Sequence, residues 1–337
     1  MNIALRTPNW IGDCIMSLPA VKSLWDTVPG VSIYVFTRSH LADIYRHLPQ
    51  VRDIILIPER MTIPGVFSLR KRVRSIDFSR GILLTNSFGS ALLFRLAGIK
   101  PLVGYRREGR GWLLGGGIEF PRDIGHYLTF YQQIVSSGKT DSNAKSAYSL
   151  TPRVLEEEKD RIREMLGGWA VDFSHPLIGL SPFAAYGTAK EWPYFDALME
   201  RIQGLDSDSR LMLLGGLRDR EKARRLLGRI QNPERVINLT GLLTLRESMA
   251  AISLCTGFVA NDSGLMHIAD ALGIPLVAIF GPTTLCSIPL NIRSVYLHRK
   301  VSCSPCAHRH CPTDHRCMTG ILDSEVYQAL QQVMQNC

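Results

Sequence analysis

The chain predicts an α/β protein built from two doubly wound parallel-sheet domains in tandem, and three observations carry that expectation. Apolar runs of strand length alternate with segments of helical spacing along nearly the whole sequence, as parallel strands covered on both faces require. Its 337 residues exceed one typical core and divide naturally into two domains of roughly 150 residues each. A strand, glycine-containing polar turn and helix occurs in each half: Asn2–Leu5 leads through Gly12-Asp13, and 257–260 through Asn261-Asp262-Ser263-Gly264-Leu265-Met266-His267.

In order, the first half reads as strand 2–5, a helix from Cys14, strand 31–36, helix 41–48 and strand 53–57. A basic helical face follows at 68–74, then strand 81–84, a helix at 91–97 opened by Thr85-Asn86-Ser87-Phe88, glycine-rich loops at 104–111 and 115–117, and helix 126–137. The stretch 136–149 is polar and weakly periodic, so the boundary is expected there, giving domains 1–150 and 151–322. The second half reads as helix 155–166, strand 177–180, loop 181–191, helix 194–202, strand 210–214, helix 219–230, strand 236–239 and helix 245–254. Strand 257–260, its turn and helix, and strand 275–280 complete it, and a helix over 323–337 is expected to pack back on the first domain. Such a tandem directs strand C-terminal ends and helix N-termini into a central cleft.

Composition narrows the function. The chain is 45% hydrophobic and 20% charged, as in ordinary soluble domains. Neither a signal-peptide h-region nor an apolar window of ~18 residues is present, so export and membrane spanning are not expected. Residues 1–150 hold 19 Lys+Arg against 10 Asp+Glu and residues 151–337 hold 20 against 20, so the excess of +9 belongs to the first half. Such a field gathers anionic partners. Nucleic acid is not expected among them, because the charge lacks the aromatic interleaving of a single-strand platform.

Four of eight cysteines cluster as Cys303-x2-Cys306-x4-Cys311-x5-Cys317. This is either a zinc knuckle or a reduced surface loop, and the spacing, which is not a double CxxC, favours the loop.

The candidate chemistry lies at the turns. Asp13, a carboxylate at a glycine turn, suits a general base and equally a helix N-cap. Lys190 stands between a strand and a helix, where an ammonium can meet a phosphate. Asp262, Ser263, Gly264 and His267 open a helix whose unpaired N–H groups and dipole attract anions. Gly264 permits close backbone approach, Ser263 and His267 can donate, and Asp262, which repels phosphate, suits a sugar hydroxyl or the orientation of the turn.

Together these segments resemble the ADP-heptose:lipopolysaccharide heptosyltransferases of glycosyltransferase family 9, closest to the heptosyltransferase II branch. The resemblance rests on Pro8-Asn-Trp-Ile-Gly-Asp13, Thr85-Asn-Ser-Phe with Ala97-Gly-Ile99, Tyr186-Gly-x-x-Lys190-x-Trp-Pro193, the Asn261–His267 turn and the late cysteine stretch. It departs from the family pattern at 181–185 and Glu191. The resemblance implies a GT-B fold of two Rossmann-like domains, acceptor on the first and donor on the second. It implies inverting transfer of heptose from ADP-heptose to a lipid A-Kdo-heptose acceptor, by a cytoplasmic enzyme in transient contact with the inner face of the inner membrane. Asp13 then matches the general base, Lys190 and Asp262 to His267 the donor site, and Leu243 a position near the adenine. Asn9, Asn86 and Ser87 fall on the acceptor side. No catalytic metal is expected, since fixed cations can neutralise the diphosphate. The alternatives are a GT-B enzyme using another nucleotide sugar and a non-catalytic nucleotide-binding protein.

Overall fold

The computed structural model describes residues 1–137, 149–169, 171–205, 208–306 and 308–335. It divides into two compact units, Met1–Arg153 and Val154–Cys337. Most of the polar stretch expected to hold the boundary lies outside the described residues.

The first unit runs β1 (Asn2–Arg6), α1 (Ile11–Met16), α2 (Leu18–Thr27), β2 (Ser32–Thr37), a 3-10 turn at Ser39–Ile44, β3 (Val51–Leu56), α3 (Ile63–Val73), β4 (Phe78–Leu83) and α4 (Phe88–Leu96). It continues with β5 (Leu102–Arg106), a 3-10 turn at Arg110–Leu113, β6 (Gly116–Glu119) and α5 (Tyr127–Val135). The six strands are parallel in the order β3-β2-β1-β4-β5-β6. Ile3, Ala4 and Leu5 of β1 are all fully buried; a central strand covered on both faces is apolar throughout rather than alternating.

Three expectations change here. The glycine-rich segments read as loops overlap β5 and β6, paired Gly104 to Gly117. Their glycines make room for arginines: a Cβ would lie 3.1 Å from Nη2 of Arg110 at Gly104 and 2.6 Å from Nε of Arg106 at Gly117. That need for space erased the apolar run by which a strand is read. The helix expected at 41–48 is the 3-10 turn.

The second unit runs α6 (Glu156–Gly167), β7 (Leu177–Ser181), a 3-10 turn at Thr188–Lys190, α7 (Phe195–Leu205), β8 (Arg210–Leu213), α8 (Arg220–Leu227), β9 (Val236–Asn238) and α9 (Leu245–Ser253). Then come β10 (Gly257–Asn261), α10 (Gly264–Ala271), β11 (Leu276–Phe280), β12 (Ser294–His298), α11 (Arg316–Thr319) and α12 (Asp323–Gln335). Its strands are parallel in the order β12-β11-β10-β7-β8-β9. Strand β12 escaped the sequence reading because it is a half-exposed edge without a continuous apolar run.

Helix α12 packs against α7, β10, β11 and β12 of its own unit. Val326, Leu330 and Val333 enter the core with Phe195, Leu198 and Met199, so the terminal helix, expected on the first domain, belongs to the second. No helix is long and apolar enough to cross a membrane among the described residues.

Both sheets have the same order. Each reverses its winding at one point, between β1 and β4 and between β7 and β10, and the crevice beyond the strand ends at that switch is where doubly wound sheets bind ligands.

Candidate active site

In the second unit the switch point collects most of the predicted donor residues. β10 ends at Asn261 and α10 begins at Gly264, leaving Asp262 and Ser263 as the turn. Ser263 caps the helix, its Oγ accepting from the Met266 N–H at 3.4 Å, and a capping hydroxyl keeps its own proton to donate. Asn261 is fully buried. Its Oδ1 accepts from the Trp192 N–H at 3.1 Å and its Nδ2 donates to the Pro182 carbonyl at 2.7 Å, tying the turn to the lysine loop.

Lys190 donates from Nζ to Oδ2 of Asp262 at 2.6 Å, with the two side chains 15% and 8% exposed. Thr283, beyond β11, donates to the same oxygen at 2.7 Å. Nε2 of His267 stands 4.0 Å from Oδ1 of Asp262. Asp262 therefore orients the turn, holding the lysine beside the N-terminus of α10. An anion arriving there meets a fixed ammonium and a helix dipole together. Leu243 sits immediately before Thr244, the cap of α9. It follows β9, two strands from β7 in the sheet, and so lies beside this group rather than in it.

The lysine loop is held from outside. Nζ of Lys190 lies 5.3 Å from the Tyr186 ring centroid, and the Arg309 guanidinium 5.5 Å from it. The Ala189 N–H donates to the Arg309 carbonyl at 3.0 Å, and Nε2 of His315 lies 2.7 Å from the Ala189 carbonyl oxygen. Glu191, a departure from the family pattern, accepts from the Ala184 N–H at 3.2 Å and from Nζ of Lys222 at 2.5 Å, bracing the other departure, 181–185, against α8.

Cys303, Cys306, Cys311 and Cys317 all line one cavity of about 160 Å³ that also touches Ala189. Among the described residues no three His, Cys, Asp or Glu are grouped so as to hold a metal ion. Through Arg309 and His315 the stretch buttresses the lysine loop at Ala189.

In the first unit Asp13 lies in the first turn of α1, where the dipole favours a carboxylate. Tyr131 of α5 donates to its Oδ1 at 2.7 Å. Burial, and then the charge of Asp13, hold the Tyr131 phenol well above its ordinary pKa, so it remains a donor. Oδ1 of Asn9 accepts from Nη2 of Arg6 at 2.6 Å, and burial lowers the Arg6 pKa to about 10. Ser87 caps α4 by accepting from the Ser90 N–H at 3.3 Å. Oδ1 of Asn86 is buried with no hydrogen-bond partner among the described residues, an acceptor left for something else.

Arg110 corrects a reading. Counted from sequence as part of the surface field, it is fully buried, and its guanidinium donates to the carbonyls of Tyr105 at 2.9 Å and Thr85 at 2.6 Å. It pins the Asn86–Ser87 loop. Tyr131, Thr283 and Arg110 were the residues missed. A hydroxyl just past β11 could have pointed to Thr283, but Tyr131 and Arg110 carried no signal that distinguishes them from core and surface.

Residues 66–316 match the model of glycosyltransferase family 9 (heptosyltransferase). The chain is 28% identical over 296 residues to lipopolysaccharide heptosyltransferase 2 of Salmonella typhimurium, covering 84% of each. It is 23% identical over 340 residues to lipooligosaccharide heptosyltransferase 2 of Campylobacter jejuni, covering 99% of each. The solved structure of E. coli ADP-heptose LPS heptosyltransferase II is similar with a TM-score of 0.83 at 25% identity, over 100% of this chain and 99% of that one. A family 9 glycosyltransferase from Veillonella parvula shares the fold, with a TM-score of 0.86 at 18% identity over 100% of this chain and 97% of that one. With the family model matching well over half of the chain and the heptosyltransferase II structure superposing on all of it, the chain belongs to glycosyltransferase family 9 and is a glycosyltransferase of the GT-B fold.

Proposed function

We propose that this enzyme transfers L-glycero-D-manno-heptose from ADP-heptose to a lipid A-Kdo-heptose acceptor of the lipopolysaccharide inner core, with inversion. The observation that carries this reading is the Lys190–Asp262 pair beside the N-terminus of α10, in a chain whose relatives are named heptosyltransferase 2. As the bond from the heptose anomeric carbon to the diphosphate lengthens, negative charge grows on the leaving ADP. Lys190 and the first-turn N–H groups of α10 stabilise it. Asp13 accepts the acceptor hydroxyl proton as that oxygen bonds the opposite face of the anomeric carbon, which inverts the centre. These fixed positive groups take the part a divalent ion plays elsewhere. Asn86, with its unsatisfied oxygen, contributes to acceptor binding beside Ser87 and Asn9, and Leu243 borders the adenine. The cationic first half suits an acceptor carrying phosphates and Kdo carboxylates at the cytoplasmic face of the inner membrane.

The test is ADP release from purified enzyme, ADP-heptose and truncated lipopolysaccharide. Asp13→Asn is expected to abolish transfer and leave ADP affinity nearly intact; loss of both sinks the assignment of the base. A donor panel with UDP- and GDP-sugars decides the remaining reading, a different nucleotide sugar.

A further inference from the structure

Helix α3 presents two faces whose chemistry differs in a way that folding does not require. Its inner face, Leu69 and Val73 with Val66, joins the core of the first unit. Its outer face begins with Ile63 and Phe67, which are 75% and 66% exposed, next to Met61, 49% exposed. These two lie four residues apart and so share one stripe of the helix. Continued by helical spacing, the stripe meets Arg70, Lys71 and Arg74, all exposed. Residues 60–74 contain five Lys or Arg and no Asp or Glu.

Cations in the last turn complement the helix dipole. That accounts for Arg70 and Lys71 but not for an isoleucine and a phenylalanine held in water one and two turns earlier. An anionic saccharide would satisfy the cations and leave the apolar pair uncovered. A surface with hydrocarbon beneath a layer of phosphate satisfies both.

We propose that α3 is an interfacial anchor for an anionic lipid bilayer. Ile63 and Phe67, with Met61, enter the boundary between headgroups and acyl chains, while Arg70, Lys71 and Arg74 lie among the lipid phosphates. The contact would bring the enzyme to a lipid-anchored acceptor; that purpose rests on the proposed function, whereas the contact itself does not.

The experiment is sedimentation of the full chain with phosphatidylcholine vesicles containing or lacking phosphatidylglycerol. Binding is expected only with the anionic lipid and is expected to weaken as salt rises. Ile63→Ser with Phe67→Ser should lower the partition coefficient about tenfold or more. Arg70→Gln, Lys71→Gln and Arg74→Gln together should lower it at least as much. The second set changes only exposed charge, so it stands if the first variant misfolds. Wild-type binding indifferent to phosphatidylglycerol overturns the proposal, as does wild-type-like binding by either folded variant. A concentration-dependent dimer abolished by the Ile63 and Phe67 changes also overturns it, since the face then meets a second copy. ADP release with a deacylated, water-soluble acceptor separates the two readings. Equal rates in wild type and variants, alongside lost vesicle binding, support the anchor. Absence of turnover in every protein counts against the proposed transfer and leaves the vesicle result intact.

Discussion

Tyr131 donates a 2.7 Å hydrogen bond to Oδ1 of Asp13 from a side chain only 4% exposed. The bond crosses from α5 to α1 and fixes the carboxylate proposed as the base. Tyr131→Phe removes the donor and little volume. A donor to a carboxylate favours its charged form, so without it the Asp13 pKa rises and the acid limb of the kcat profile moves to higher pH. Loss of a hydrogen bond to a charged group should also lower kcat about tenfold, with ADP affinity unchanged. An unmoved acid limb would show that Tyr131 serves packing alone.

Lys190 is expected to act on the leaving diphosphate. Lys190→Met should lower kcat/KM by about 10²- to 10³-fold and reduce the rise in melting temperature that ADP produces in the wild type. Steady-state kinetics and thermal shift measure the two effects. A variant that loses neither removes the lysine from the donor site.

Gly187 has φ +152°, and a Cβ there would stand 2.3 Å from the Arg309 carbonyl oxygen. Gly187→Ala must therefore push the cysteine loop away from the lysine loop. Lower thermal stability together with weaker ADP binding is expected, measured by calorimetry, whereas an unperturbed variant would show that the two loops are not coupled.

Arg110 holds the β4–α4 loop through backbone carbonyls from a fully buried position. Lysine keeps the charge but not the planar fork. Arg110→Lys should cost about 2 kcal/mol of stability, read from urea unfolding of the full chain, and the acceptor KM should rise because Asn86 and Ser87 lose their support.

The thiols should label in a definite order. Burial raises Cys14 to about 12 and, with the neighbouring cysteines, Cys317 to about 11, while the Thr313 hydroxyl lowers Cys311. The thiolate is the reactive form. Iodoacetamide at mildly alkaline pH should modify half-buried Cys311 and exposed Cys303 well before Cys14 and Cys317, as followed by peptide mass spectrometry. Early labelling of Cys14 would contradict the packing of α1 against Pro8.

Much of this protein is legible in its sequence because parallel strands are buried on both faces. Runs such as Ile3–Leu5 and Leu276–Phe280 have to be apolar throughout. Asp13, Lys190 and the Asp262–His267 turn could be picked out as candidates because each is local, a polar group between a strand and the helix after it or in that helix's first turn. The short strands β5 and β6 were hidden because their glycines accommodate the side chains of Arg106 and Arg110. The family motifs further determined the kind of enzyme.

Tertiary structure alone decided how those residues are held. Asp262 lies 72 positions from Lys190 and Asp13 lies 118 from Tyr131, distances over which no periodicity speaks. The placement of α12 on the second sheet, the burial of Arg110 and the outward stripe of α3 belong to the same class. Each depends on which surfaces meet once the sheets have formed, and a side chain's partner across such a meeting is set by packing rather than by its neighbours in sequence.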